Sequence, residues 1–306
     1  MSTVDIFSIW RQRVEDGLSS ERAIAWLFVA PAVILLLAIA IYPFIQMIYD
    51  SVFAFSSAGQ REAFVGIENF VRVLSDGRFT GAVLFTIVFV MIVVSSEFLL
   101  GLGISLLIYS QYIKRRQLLV VLSLPPMMLS PVIAGLTWRM LFNVEFGLVN
   151  HLLSLNIDWI AGRPWAAAAI VITDIWMWTP LFVLVFASTL QAIPEVYYEA
   201  AEIDGMSAWQ RFKWITFPQM RTAIVIVLLL RVVRAFKVFP KIQVMTLGGP
   251  GSFTESIAMI TYNYGFSFFS LGRASAAGVL YWFLMFITAF IIFRAVAEEL
   301  ISPEEY

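Results

Sequence analysis

Apolar residues run along this chain in long blocks, not in the alternating or every-third-residue patterns of soluble elements. The blocks are Ala23 to Tyr49, Phe79 to Tyr109 with Glu97 inside it, Gln117 to Trp138, Ile175 to Pro194 with Trp165–Thr173 upstream, a run from Thr222 that gains charges in its second half, and Ala274 to Phe293. A helix needs about 20 apolar residues to cross the hydrocarbon core of a bilayer. The pattern predicts six spans, near 23–47, 80–109, 117–142, 165–191, 222–246 and 274–297. The fold class it implies is an all-α integral membrane protein, with a six-span domain over 23–297, a segment 1–22 before it and a tail 298–306 after it.

Composition strengthens this picture. The chain is 60% hydrophobic and 13% charged, with a mean hydropathy of +0.86, against about 45–50% apolar and a quarter charged in soluble domains. Too few polar residues remain to cover a globule in water. The net charge of −1 removes a nucleic-acid partner, which requires a basic surface. Without cysteine, and with His151 as the sole histidine, thiolate and histidine metal sites are excluded. His151 falls in an outer loop and is read as solvated.

Orientation follows the basic residues of short loops. With the N-terminus inside, Arg11, Arg13, Arg22, Lys114, Arg115, Arg116, Arg211, Lys213, Arg221 and Arg294 lie inside, against Arg61, Arg72, Arg78, Arg163 and Arg273 outside. Both termini are therefore expected in the cytoplasm. The first block is too long for a signal peptide, despite Ala38-Ile39-Ala40 resembling a cleavage site, and more spans follow. Upstream of it, Val4, Phe7, Trp10 and Val14 recur at helical spacing; an interfacial helix and a disordered tail are both open readings.

Prolines interrupt the spans: Pro125, Pro126 and Pro131 in the third and Pro180 in the fourth, while Gly101 and Gly103 lighten the second. The glycines suggest close helix packing and the proline cluster a bend lining a pathway. In the fifth span Arg231, Arg234, Lys237 and Lys241 recur at intervals of three, three and four, one face of a continuous helix, with Arg231 near mid-membrane. A cation facing lipid there is costly, so these side chains are expected to face a cavity or a partner. Two readings of Asp174 and Arg231 stand side by side: an internal ion pair, or surplus cations that receive an acidic or phosphorylated solute. Trp176 and Trp178 could stack on a solute's face or serve packing. Glu97 is expected to pair with a cation, Arg139 or Arg234 being the candidates.

Between the fourth and fifth blocks, 194–218 reads as a cytoplasmic helix–turn–helix. Pro194 starts it, Glu195, Glu199 and Glu202 enrich the first helix in acid, Gly205 ends that helix, Ser207 caps the next and Pro218 closes it. Its aromatic content, with Tyr197, Tyr198, Trp209, Phe212 and Trp214, predicts docking against a partner.

Here the chain resembles the permease subunits of ABC importers. Glu199-Ala200-Ala201, three residues, Gly205, nine residues, then Ile215-Thr216-Phe217-Pro218 is similar to their EAA loop, E-A-A-x3-G-x9-I-x-L-P, with Phe217 in place of leucine. Phe64–Phe70, Leu141-Phe142-Asn143, Leu190–Pro194 and Thr246–Pro250 resemble the maltose-type carbohydrate branch. The resemblance implies a six-helix permease core beside a second, homologous permease subunit, with two ATPase subunits beneath, an extracytoplasmic solute-binding protein and residence in a bacterial inner membrane. It assigns Glu199, Ala200, Ala201 and Gly205 to ATPase coupling, with Ile215 and Pro218 anchoring the second helix. It places Met127, Pro131, Asp174, Trp178, Leu181, Arg231, Ala235 and Val238 along the solute path, to which the charge pattern adds Arg234; Asp174 and Arg231 depart from the neutral polar pattern of a maltose site.

No glycine here is followed by lysine, so a Walker-type phosphate loop is absent and ATP with its Mg belongs to the partner ATPases; no cofactor is expected on this chain. The function expected is import of a sugar or sugar-related solute, with an acidic or phosphorylated one as an open reading, by a subunit that is not itself an enzyme. Two rival classes stand beside it: an ion-coupled secondary transporter, which would show inverted repeats and need no docking loop, and a membrane enzyme, which would cluster catalytic residues at one interface.

Overall fold

The computed structural model describes residues 21–56, 58–110 and 115–301. The interfacial helix considered for the N-terminal segment lies outside the described residues, as does the end of the acidic tail.

Helix α1 (Glu21–Asp50) leads into a short antiparallel pair, β1 (Phe53–Phe55) and β2 (Arg61–Phe64), and then α2 (Glu68–Leu74). This platform is tied down by Asn69, whose amide donates to the carbonyls of Ser51 and Phe53 at 2.9 Å each. Helix α3 (Gly77–Ile108) follows, N-capped by Asp76, which accepts from the Arg78 backbone N–H at 2.9 Å. At the same end of the bundle the Tyr264 hydroxyl donates to Asp76 at 2.6 Å, and Arg78 forks onto Glu255 at 2.9 to 3.1 Å. Burial works against the charge of Asp76, but the Tyr264 hydroxyl, the Arg78 N–H and the charges of Arg78 and Arg273 outweigh it and hold the carboxyl below its ordinary range. Burial, then the bond to Asp76, pushes the Tyr264 phenol upward.

The third predicted span is not one straight helix. It is built from α4 (Arg116–Ser123), α5 (Pro125–Met128) and α6 (Pro131–Leu141), with a 93° bend before Pro131. The reason is local: a residue preceding proline is pushed out of the helical region, and Ser130 is extended, φ −63° and ψ 142°. After α7 (Leu148–Leu153) comes α8 (Trp165–Ala192), which carries Pro180 within it. Then come α9 (Glu195–Ile203), α10 (Ala208–Arg211), a π-helical turn (Phe212–Thr216) and α11 (Phe217–Phe236).

Pro218 does not close the second helix of the hairpin. Proline cannot donate an N–H to the preceding turn, and the chain widens into the π turn just before it, where the Phe217 N–H reaches the Phe212 carbonyl. Helical backbone thus runs from Ala208 to Phe236 as one candidate span of 29 residues. The fifth span also departs from expectation at its other end. Pro240 would crowd the carbonyl of Phe236; α11 stops there and the chain restarts as α12 (Phe239–Met245). Arg231, Arg234, Lys237 and Lys241 therefore do not share one helical face.

Helix α13 (Ile257–Tyr262), a second π turn (Asn263–Ser267) and α14 (Leu271–Ile301) complete the order. Among the described residues five helices are long and apolar enough to cross a membrane, and the bent pair makes a sixth if it counts as one span. The two broken spans meet: α12 lies along α6 at Gly135, where an added Cβ would stand 2.6 Å from Val244 Cγ2. Phe89, Phe142, Ile170, Phe236 and Ile242 form the largest apolar core around that meeting. Broken helices in a bilayer need protein or a cavity to satisfy the freed backbone.

Candidate functional site

Glu97 is the sole carboxylate within α3 and Asp174 the sole one within α8. Both are buried, and both reach Arg231 of α11, which is fully buried. Arg231 donates from Nε to Glu97 Oε2 at 2.6 Å and from Nη2 to Oε1 at 2.8 Å. Nη2 also contacts Asp174, whose other oxygen meets Lys241 of α12. Two acids and two bases thus close a network joining four helices. Its net charge is zero when all four are ionised, the condition under which a low-dielectric interior can hold them. Glu97 pairs with Arg231, not with Arg139 or Arg234: Arg139 points away and donates to the Val244 carbonyl at 2.8 Å.

Arg231 Nη1 is buried without a hydrogen-bond partner. The ring of Trp178 lies 5.5 Å from the Arg231 guanidinium carbon and 5.0 Å from that of Arg234, so one indole faces two cations. Arg234 and Lys237, at the end of α11, are exposed and have no carboxylate partner among the described residues. Of the other residues expected along the solute path, Ala235 and Val238 are buried in the core, and Leu181 packs at the edge of the Phe182–Phe186 cluster. Met127 and Pro131 flank the bend, half-buried, and no contact brings them to the charged network.

The hairpin at 194–218 is a second constellation. Gly205 takes φ +71°, a left-handed conformation costly for any residue with a Cβ, and the Met206 N–H turns back to the Ala201 carbonyl at 2.9 Å. Ser207 and Gln210 form a reciprocal capping box, and the Tyr198 hydroxyl bonds Thr216 Oγ1 at 2.9 Å to join the two arms. Ala201 is buried inside the hairpin, so its small size serves the chain's own packing. Ala200 is exposed and Glu199 faces a cavity beneath the membrane helices. Ile215 packs on the Phe186–Met220 cluster and Pro218 sits half-buried at the start of α11. Reading the motif alone missed Val196 and Ile203, 61% and 87% exposed, which with Ala200 form an outward apolar stripe at i, i+4, i+7.

A helical bundle with two broken spans and charges neutralised inside it has the features of a membrane transport component. Residues 77–299 match the family of binding-protein-dependent transport system inner membrane components, and the chain belongs to that family. It is 34% identical over 264 residues to the trehalose/maltose transport system permease protein MalF of Thermococcus litoralis, covering 85% of this chain and 89% of that one. It is 35% identical over 290 residues to the sulfoquinovosyl glycerol transport system permease protein SmoG of Agrobacterium fabrum, covering 92% of each. A chain of a bacterial ABC transporter involved in import of the acidic polysaccharide alginate superposes with a TM-score of 0.80 at 19% identity, over 95% of this chain and 99% of that one. The protein is thus a multi-pass inner-membrane permease subunit, the non-catalytic membrane component of a binding-protein-dependent ABC importer. The secondary-transporter and enzyme alternatives fall with this membership.

Proposed function

We propose that the chain imports a sugar-derived solute carrying negative charge, beside a second, homologous permease subunit and above two ATPase subunits. The relatives named for trehalose/maltose and sulfoquinovosyl glycerol support the carbohydrate class. One observation carries the charge: Arg231 and Lys241 are neutralised by Glu97 and Asp174, while Arg234 and Lys237 stand exposed beside them at the break between α11 and α12. Arg231 is the structural member of the set and Arg234 and Lys237 are the ones that meet solute. The hairpin lies on the cytoplasmic side with both chain ends.

The test is the reconstituted complex with its ATPase and binding protein, its ATP hydrolysis measured against neutral sugars, polyols, sugar acids and sugar phosphates. Acidic solutes are expected to stimulate, and Arg234→Gln with Lys237→Gln to raise their half-maximal concentration at least about tenfold, the loss of one charge-assisted hydrogen bond. Stimulation by neutral sugars alone, untouched by the double change, would overturn the anionic reading.

The outward stripe of α9 makes a separate prediction. Val196→Asp with Ile203→Asp places charge where the ATPase cleft would receive an apolar helix. Solute-stimulated hydrolysis is expected to fall to the basal level while the permease stays in the membrane, since anchor residues at such contacts contribute about 2 kcal/mol or more each. Unchanged stimulation would remove α9 from the coupling path.

A further inference from the structure

Between the inner end of α3 and the hairpin lies a cavity of about 1130 Å³. Its apolar part is formed by Leu99, Leu102 and Leu106 on α3. Where α3 ends, Tyr109 joins Tyr198 and Trp209 of the hairpin in the lining, aromatic residues of the kind that favour headgroup depth. Glu195, Glu199, Glu202 and Arg211 of the hairpin complete its charged part. Polarity thus rises from the leucines of α3 to the hairpin.

We propose that this cavity binds one aminophospholipid of the inner leaflet, with an acyl chain along α3 and a phosphoethanolamine headgroup between Arg211 and the carboxylates of α9. Charge complementarity selects that headgroup. No ion pair satisfies the Arg211 guanidinium or the three glutamates among the described residues, so the site offers both signs to a ligand carrying both. The other basic residue of the lining, Arg116, already contacts the Ser110 carbonyl and the Tyr109 ring. Carboxylates outnumber bases in the lining, which disfavours a purely anionic lipid. The ammonium of phosphoethanolamine can donate three hydrogen bonds to them, which the quaternary headgroup of phosphatidylcholine cannot.

Gly103 supplies an independent observation. It lies inside α3, where glycine weakens a helix relative to alanine, yet nothing stands within 4 Å of where its Cβ would be. Gly101, two residues earlier, packs directly on Phe182. The room at Gly103 therefore serves no contact within this chain; it widens the cavity wall against which the lipid lies.

The experiment uses the complete transporter complex, purified in mild detergent for native mass spectrometry and reconstituted in nanodiscs of phosphatidylethanolamine, phosphatidylcholine or phosphatidylglycerol. One phosphatidylethanolamine is expected to stay bound per complex, with solute-stimulated ATP hydrolysis at least threefold higher in phosphatidylethanolamine than in either other lipid. Gly103→Leu puts a side chain into the cavity from a Cβ that stands in open space, and Arg211→Gln removes the phosphate contact; each is expected to lower retention about tenfold and to erase the lipid preference. Melting temperatures of both variants, equal to wild type, would separate loss of the lipid from loss of the fold. Equal retention in Gly103→Leu and wild type, equal activity in all three lipids, or no retained lipid because another subunit fills the cavity would each overturn the proposal. Displacement of the lipid by soluble phosphoethanolamine at micromolar concentration would assign the site to a soluble ligand and overturn the acyl-chain half of it. Lipid retention in native mass spectrometry needs no solute, so that readout stands or falls apart from the anionic-sugar reading.

Discussion

Arg231→Gln is expected to destabilise the permease by about 3–5 kcal/mol, the range for removing one partner of a buried ion pair, and so to deplete the folded chain from the membrane. The loss exceeds a broken contact because Glu97 and Asp174 are both buried and Lys241 alone cannot compensate two carboxylates. A charge-matched second change is expected to recover much of it. In Glu97→Gln/Arg231→Gln the remaining Asp174–Lys241 pair is neutral and still in contact, so the thermal midpoint should rise well above that of Arg231→Gln. Asp174→Asn/Arg231→Gln keeps Glu97 and Lys241, which do not touch, and should recover less. Thermal unfolding of the three variants followed by size-exclusion fluorescence makes the comparison; a double variant no better than Arg231→Gln would show that the network does not act by charge balance. The same Glu97→Gln/Arg231→Gln protein separates architecture from solute handling: retained solute-stimulated hydrolysis is the outcome expected if Arg234 and Lys237 meet the solute.

Much of this architecture is written locally. Blocks of apolar residues of bilayer length locate the long helices, because hydrophobic length is a property of the sequence itself. The turn of the hairpin is equally local, since Gly205 and the Ser207–Gln210 box act within a few residues of each other. Proline was a partial guide. Pro218, expected to close a helix, is absorbed in a π turn and the helix runs on, while Pro240, inside a span read as continuous, breaks it and separates Lys241 from Arg231. At that break the Tyr281 hydroxyl of α14 reaches the freed Phe236 carbonyl at 3.1 Å, and proximity of that kind is absent from local pattern. The partner of Glu97 was hidden for the same reason. Charge counting shows that two intramembrane carboxylates require two cations, but four candidates lie within eleven residues, and only the rotation of α11 and the break before α12 select Arg231 and Lys241. Ala201 illustrates the converse: the motif alone does not show that it is buried within this chain.

Gly101→Leu is expected to be the most damaging change outside the charged network. Helices α3 and α8 approach so closely there that an added Cβ would lie 2.3 Å from Phe182 Cβ and 3.3 Å from the Phe182 carbonyl carbon. In a membrane, small residues at such crossings let backbones meet, and dispersion between them replaces the hydrophobic drive available in water. Overpacking costs about 1–3 kcal/mol in ordinary cores; here the helices must also separate, and they are the two that carry Glu97 and Asp174 to the shared Arg231. The thermal midpoint should therefore fall sharply for Gly101→Leu and detectably for Gly101→Ala, whereas Gly103→Ala, two residues on and facing open space, should match or exceed wild type. Shortening the opposing side chain is expected to give no rescue: the obstruction is Phe182 Cβ and backbone, which Phe182→Ala leaves in place. Recovery of Gly101→Ala by Phe182→Ala would mean that the ring, and not the backbone approach, sets the spacing of the two helices, and the link from that spacing to the charged network would then have to be abandoned.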